Sequence, residues 1–270
     1  MNATDLVSLA AVKSWLNISS NREDVLLGRM ITQVSRVVLN YINRSMVLPV
    51  TVTESYDGNG KDWIQLRSWP AISVISVIIG TQTVPQAAGQ GQPGWSLEPS
   101  DDDPPGHMQR LSLTGYMFWK GIGNVLVTYR CGYQITDESA TIDASSYTAT
   151  PAAVCGDWAS DVGVTFASGA ALTKVSASPS AGQYMWDADN LRYQFSAADA
   201  GKQVLLTYGY IPADLAMATI EWIGERYRYK DRIGQTSKSL GGQETVSFTK
   251  DQVPVFVAQG LQNFRRVTPC

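Results

Sequence analysis

The sequence predicts an α+β fold: helices near both ends of the chain, strands between them, and an all-β, sandwich-like module inserted ahead of the last helices. Three observations lead there. Apolar residues recur at helical spacing over residues 9–43 and again over 213–230. β-branched runs separated by Gly, Asn and Pro turns fill much of the interval. Finally, Val125-Leu126-Val127-Thr128-Tyr129-Arg130-Cys131-Gly132-Tyr133 is echoed by Val204-Leu205-Leu206-Thr207-Tyr208-Gly209-Tyr210. Both copies end in a Gly-Tyr corner. The stretch between them is rich in Ala, Ser, Thr and Gly and has no helical period, as expected of a β insertion.

The first helix is expected over Leu9–Leu16, N-capped by Ser8, with Leu9, Val12, Trp15 and Leu16 to one side. Ser20 and Glu23 have the spacing of a capping box, so a long helix is expected from about Asn21 to Asn43. Leu26, Met30, Val34, Val37 and Tyr41 form one apolar stripe on it, and Leu27, Ile31, Val38 and Ile42 another. A stripe that wide implies more than one partner surface, one of which can belong to another subunit.

Strands are expected over Val50–Tyr56, Asp62–Arg67 and Ile72–Ile79, with Asp57-Gly58-Asn59-Gly60 as the hairpin turn between the first two. Thr83–Gly106, rich in Pro, Gly, Gln and Asp, reads as a long exposed loop. Gln109–Leu113 and Asn124–Tyr129 read as further strands. Val164–Phe166, Ala171–Val175 and Tyr193–Phe195 are the strand candidates of the inserted module. Ile211-Pro212-Ala213-Asp214 opens a helix to about Lys230, with Leu215, Ala218, Trp222 and Tyr227 toward a core. A polar, Gly-rich arm covers Gly234–Gln243, Glu244–Phe248 reads as a short strand, and a last helix begins near Pro254 with Val255, Ala258, Leu261 and Phe264 apolar.

Composition narrows the function. The chain has 270 residues, enough for one large domain or a core plus a smaller one, and 44% of them are hydrophobic. A net charge of −3 lacks the basic excess of a sequence-reading nucleic-acid binder, while a protein that merely surrounds DNA needs none. Cys131, Cys155 and Cys270 are widely spaced, which implies reduced thiols rather than a disulfide framework. Met1–Asp5 does not open a signal peptide, and the longest apolar stretch, Ile72–Ile79, is far short of the ~20 residues of a membrane span.

Motifs for chemistry are sparse. His107 is the only histidine and lies in the Pro-Gly loop, so a Ser-His-Asp triad or a His-bearing zinc site would have to use it. Asp101-Asp102-Asp103 precedes Pro104-Pro105 and lacks EF-hand spacing. Asp157 and Asp161 have the makings of an acid–base pair, but a polar module surface explains them as well. No phosphate-cradling loop is present, and Gly241-Gly242 is only a flexible joint. No catalytic residue, metal ligand or cofactor site is therefore expected.

Other sequence words carry a resemblance. Leu9-Ala10-Ala11-Val12-Lys13-Ser14-Trp15-Leu16 is followed by Glu23-Asp24-Val25-Leu26-Leu27. Then come Tyr56-Asp57-Gly58-Asn59-Gly60, Trp69-Pro70-Ala71-Ile72-Ser73-Val74 and Gly123–Tyr129. Pro212-Ala213-Asp214-Leu215, Glu225-Arg226-Tyr227-Arg228, Arg232-Ile233-Gly234 and Ser237-Lys238-Ser239-Leu240-Gly241-Gly242 complete the order. Over residues 5–133 and 211–250 the chain resembles the head-tail connector (adaptor) proteins of tailed bacteriophages. The resemblance implies a helical-bundle connector core, residues 1–133 and 211–270, interrupted by a β domain at 134–210. It implies a structural, non-enzymatic virion protein of the head-tail neck, assembled in the host cytoplasm. It further implies a homo-oligomeric ring, twelve-fold in most of the family, which docks beneath the portal protein and carries a tail or neck protein. Double-stranded DNA would pass through without sequence-specific binding, and no membrane would be involved. The chain departs from the family in length, since compact members run from the equivalent of Tyr133 almost directly to Pro212.

The residues expected at a portal or subunit interface are Arg226, Arg228, Lys230 and Arg232, with Ser237, Lys238, Glu244, Val246 and Phe248 from the arm. The four cations suit a helix C-terminus electrostatically, so a solvated helix end and a contact patch both fit them. The arm has too little apolar surface to order alone, and Glu244–Phe248 has the character of a strand added to a neighbour's sheet. Two rival readings are a baseplate or tail-fibre attachment protein and a glycan-acting virion protein. The latter would use Asp157, Asp161, Asp187 and Asp189 for hydrolysis, or Trp158, Tyr184 and Trp186 for binding.

Overall fold

The computed structural model describes residues 4–98, 109–152, 159–188, 190–230, 237–240, 244–247 and 253–266. In chain order the elements are α1 (Leu9–Leu16), α2 (Asp24–Tyr41), β1 (Val50–Gly58), β2 (Trp63–Gln65), β3 (Ala71–Ile79), β4 (Gln82–Val84), β5 (Gly94–Leu97), β6 (Arg110–Thr114) and β7 (Gly121–Cys131). Next come β8 (Gln134–Thr141), β9 (Thr148–Ala149), β10 (Ala159–Phe166), β11 (Thr173–Lys174), β12 (Gln183–Asp187), β13 (Arg192–Phe195) and β14 (Gln203–Tyr210). The chain then forms α3 (Ala213–Tyr229), β15 (Ser237–Leu240), β16 (Glu244–Ser247) and α4 (Val255–Gln262). The fold is α+β, as the sequence predicts.

Three apolar cores organise it. The first is helical: Val12 of α1, Leu27, Ile31, Val34 and Val38 of α2, Leu215, Trp222 and Ile223 of α3, and Val257 and Leu261 of α4. Helix α3 touches each of the other three. Ser8 Oγ caps α1 by accepting from Ala11 N–H at 3.0 Å, and Asn17 ends it in the left-handed conformation.

The second core lies between two antiparallel sheets, β1-β7-β3-β4 and β2-β6-β5. Alternate residues of β7, Val125, Val127 and Tyr129, meet Ile64, Trp95, Leu111 and Leu113. The third core is enclosed by β10-β14-β8 and β11-β12-β13-β9, with Val164, Tyr193, Phe195, Val204, Leu206 and Tyr208 at its centre.

The two echoed corners meet. Tyr210 N–H donates to Tyr133 O at 3.0 Å, and their rings stand edge to face with centroids 5.6 Å apart. Both corner glycines press on one backbone segment. A Cβ on Gly132 (φ +128) would lie 2.6 Å from the Leu48 carbonyl carbon, and one on Gly209 would lie 2.4 Å from Pro49 Cδ. The chain therefore leaves for the third core and returns from it at one place.

Several local expectations are corrected. Glu23 makes no capping box, and α2 starts at Asp24. The Glu23 side chain turns instead to α3, where a cation and a phenol outbid a local backbone N–H. Asp57–Gly60 does not join a hairpin, because β1 pairs with β7 and β2 pairs with β6. Asn59 closes the turn itself, accepting from Lys61 N–H at 2.8 Å and donating to Trp63 O at 2.9 Å, and this directs β2 into the second sheet. The segment read as a loop from Thr83 contains strand β5 and the end of β4. The polar arm holds a strand too, since β15 pairs with β16 as an antiparallel hairpin. On α4, Val257 rather than Val255 faces the core, one step round the helix from the expected stripe.

Candidate functional site: surfaces for assembly

The basic end of α3 divides into different environments. Lys230 Nζ donates to Glu23 Oε1 at 2.9 Å and lies 3.9 Å above the Tyr227 ring, while the Tyr227 hydroxyl donates to Glu23 Oε2. The Tyr227 and Lys230 hydrogen bonds hold the Glu23 carboxyl below the usual carboxylate range, and the Glu23 hydrogen bond raises the Lys230 amine. Lys230 thus fastens α3 to the start of α2. Arg226 stacks over Trp222 at 5.8 Å, and Arg228 is exposed. Arg232 and Phe248 lie outside the described residues. Ser237 and Lys238 fall on β15, and Glu244 and Val246 on β16, in the register Ser237↔Ser247 and Lys238↔Val246; their side chains lie outside the described residues.

A polar node that the sequence did not announce joins the helical core to the first sheet. Glu54 Oε2 accepts from the hydroxyls of Tyr56 and Tyr129, the latter at 2.6 Å. Glu54 Oε1 accepts from Ser68 Oγ at 2.8 Å and Arg266 Nη2 at 3.2 Å. Burial alone would raise this carboxyl, but the hydrogen bonds from Tyr129, Tyr56 and Ser68 and the Arg266 charge outweigh it and hold it low. Burial pushes the Tyr56 phenol up to about 12. Beside the node, Arg44 lies 3.6 Å over the Trp69 ring and donates to Trp69 O at 2.6 Å and Phe264 O at 3.0 Å. Burial lowers its guanidinium to about 10, so it stays charged at neutral pH. The available signal was Glu54 itself, an acid in the middle of an alternating β-branched strand; its arginine partner lies too far along the chain for spacing to find.

The glycan-acting candidates are largely engaged internally. Asp161 is bound by Lys174 Nζ at 2.7 Å and accepts from Tyr184 OH at 3.1 Å. Asp187 accepts from Asn190 Nδ2 at 2.8 Å and from Arg192 and Gln194 at 3.2 Å each. Tyr184 is 3% exposed and Trp186 packs on Tyr193 with centroids 4.7 Å apart, so these rings do not form an open stacking platform. Asp101, Asp102, Asp103, His107, Cys155, Asp157, Trp158, Asp189 and Cys270 lie outside the described residues. Among the described residues no group of three His, Cys, Asp or Glu is placed to hold a metal, and no helix is long and apolar enough to cross a membrane.

Comparison with known proteins adds the following. Among solved structures, a chain from the neck of an empty GTA particle, computed with C6 symmetry, is similar at 12% identity and a TM-score of 0.43, over 100% of this chain and 95% of that chain. None of the curated proteins matches. Residues 7–88, from the approach to α1 through β4, match the family model of the phage gp6-like head-tail connector proteins. In that N-terminal segment, under a third of its length, the chain is similar to the phage head-tail connector family.

Proposed function

We propose that this protein is a structural, non-enzymatic subunit of the head-tail neck, forming a ring between the portal and the next neck or tail component of a tailed bacteriophage. The observation that carries this reading is the connector-family match over residues 7–88. Residues 1–133 and 211–270 form the connector core, with α2 and α3 as the helical-bundle wall of a twelve-fold ring. The lumen passes double-stranded DNA and completes the head after packaging. A net charge of −3 suits a conduit, since a strongly basic lumen would hold the phosphate backbone.

Residues 134–210 are a separate inserted domain that projects away from the lumen. The meeting of Tyr133 and Tyr210 supports this reading, since it lets an insertion leave the core path undisturbed. Arg226, Arg228, Arg232, Ser237, Lys238, Glu244, Val246 and Phe248 remain the proposed contacts to the portal or a neighbour. Lys230 contributes by holding α3 on Glu23. Subunits assemble in the host cytoplasm and reside in the virion.

Electron microscopy of a lysate from phage lacking this gene tests the reading. Empty or leaking heads beside unattached tails, or heads without tail parts in a short-tailed phage, are expected. Filled, tailed particles would overturn it and favour an attachment role at the baseplate or fibres.

A further inference from the structure

Helix α2 has a second face, opposite the one that enters the core. Leu26, Arg29, Gln33, Arg36, Val37 and Asn40 recur there at steps of three, four and seven, Arg22 continues the row just ahead of the helix, and all are exposed. Leu26 is 43% exposed, Val37 36%, and the adjoining Val25 70%, an apolar strip that single-chain burial does not use. The three arginines stand seven residues apart and make no ion pair among the described residues.

Helix α3 presents the complementary pattern. Asp214, Met217 and Glu221 share a face turned away from Leu215, Ala218 and Trp222, and one turn further on that face ends at Gly224, which Trp15 of α1 covers. Met217 is 45% exposed, Asp214 is exposed, and Glu221 is partly so. Asp214 and Glu221 also stand seven residues apart.

We infer that the Arg22–Arg29–Arg36 face of α2 docks on the Asp214–Met217–Glu221 face of α3 in a second copy of this chain, and that this contact builds the ring. The inference rests on the ring reading above and gives it an interface. Equal spacing makes the match independent of helix direction. Two consecutive arginines meet Asp214 and Glu221 together whether the helices run parallel or antiparallel; the assigned register sets Arg29 against Glu221, with Arg22 (parallel) or Arg36 (antiparallel) against Asp214. Leu26 and Val25, beside the arginines, supply the apolar contact for Met217. The two faces lie on different helices, so the contact is heterologous. Repeated from copy to copy it closes a ring or continues as a helix, whereas a two-fold contact would stop at a dimer. The basic face also disfavours docking on itself.

The test uses the full-length chain and two reversals, Arg29→Glu and Glu221→Arg, with circular dichroism to check that each variant is folded. Sedimentation velocity or native mass spectrometry reads assembly. The wild type is expected to assemble. Each variant alone is expected to need at least about tenfold more protein, because like charges then face each other at every contact. Mixed in equal amounts, the two variants are expected to assemble again. The carboxylate introduced on α2 of one variant then meets the guanidinium introduced on α3 of the other, and the native Arg29–Glu221 pair forms at the next contact.

Wild-type-like assembly of either variant alone, or two folded variants that fail when mixed, overturns the assignment. Variants that form normal rings but no longer bind the portal overturn it in favour of a portal contact on α2. A wild-type chain that stays monomeric overturns the self-docking while leaving the connector reading to the gene-deletion particles. If those particles are normal while the mixed variants assemble, the connector reading fails and the interface stands.

Discussion

Removing the Glu54 carboxylate is expected to loosen the joint between the first sheet and the helical core. In Glu54→Ala, the hydroxyls of Tyr56, Tyr129 and Ser68 lose their shared acceptor, and Arg266 loses its ion pair. The Glu54 side chain is 13% exposed and that of Arg266 25%, so solvent screens the arginine partly and the hydroxyls little. Three hydrogen bonds to an ionised acceptor, at about 1.5 kcal/mol each after exchange with water, give about 4–5 kcal/mol. The screened ion pair adds less than about 1 kcal/mol. Glu54→Gln keeps the shape and one good acceptor, so about half that loss is expected.

The pH dependence supplies an internal check. The folded Glu54 carboxyl lies below its unfolded value, so its stabilisation is fully present above the unfolded value of about 4.3 and is lost as pH falls through the folded one. The gap between wild type and Glu54→Gln should therefore be widest at neutral pH and narrow in acid. Urea unfolding with pulse deuterium labelling of the β1 and β7 peptides reads this core apart from the other two. A loss below about 0.5 kcal/mol for Glu54→Ala at neutral pH, or a gap that widens in acid, would refute the reasoning.

Trp222→Ala removes the largest wholly interior side chain of the helical core and should cost about 3–5 kcal/mol, read as a fall in the thermal midpoint of the helical circular dichroism signal. Gly209→Ala places a methyl group 2.4 Å from Pro49 Cδ and should cost about 1–3 kcal/mol, seen as faster deuterium exchange at Tyr133 and Tyr210 than in the wild type. Replacing residues 135–209 with a short Gly-Ser linker should leave the helical core and first sheet folded, because the two ends already touch; aggregation or loss of the helical signal would count against it. The Cys131 thiol, buried and raised to about 11, should resist iodoacetamide in the folded protein and react on unfolding, as peptide mapping would show.

What the sequence revealed followed the range of the physics involved. Helix α1 and strand β3 were readable because Ser8 caps locally and Ile72–Ile79 is a run of Ile and Val interrupted only by Ser73 and Ser76. Helix α3 was readable from Pro212 and Asp214 at its start. The Gly132 and Gly209 corners, which meet in the fold, were legible as a repeat, Val125–Tyr133 echoed by Val204–Tyr210. Pairing was not legible: nothing within Asp57–Gly60 says that β1 will take β7, 63 residues beyond Gly58, as its neighbour. Strand β5 hid in a segment whose Pro and Gly content suggests a loop, yet Trp95 and Leu97 alternate toward the second core. The capping-box pattern at Ser20 and Glu23 misled because the competing partner, Lys230, lies 207 residues away. The basic end of α3 was visible as charge, but not that Tyr227 and Glu23 would fix its lysine, Lys230, in place.

The node at Glu54 also sets an order of events during synthesis. Tyr129 follows Glu54 by 75 residues, and Arg266 follows it by 212. At about 5–20 residues per second, β1 waits on the order of 10–40 s for its last partner. Arg266 N–H also closes on Ile42 O at 2.8 Å, so the end of α2 waits for the same residue. A nascent chain can gather its early helices and sheet, but it cannot satisfy their polar junction until residues 264–266 have emerged. Subunits that complete this junction have therefore been made at least through Arg266, and fragments truncated before it carry their own mark of incompleteness.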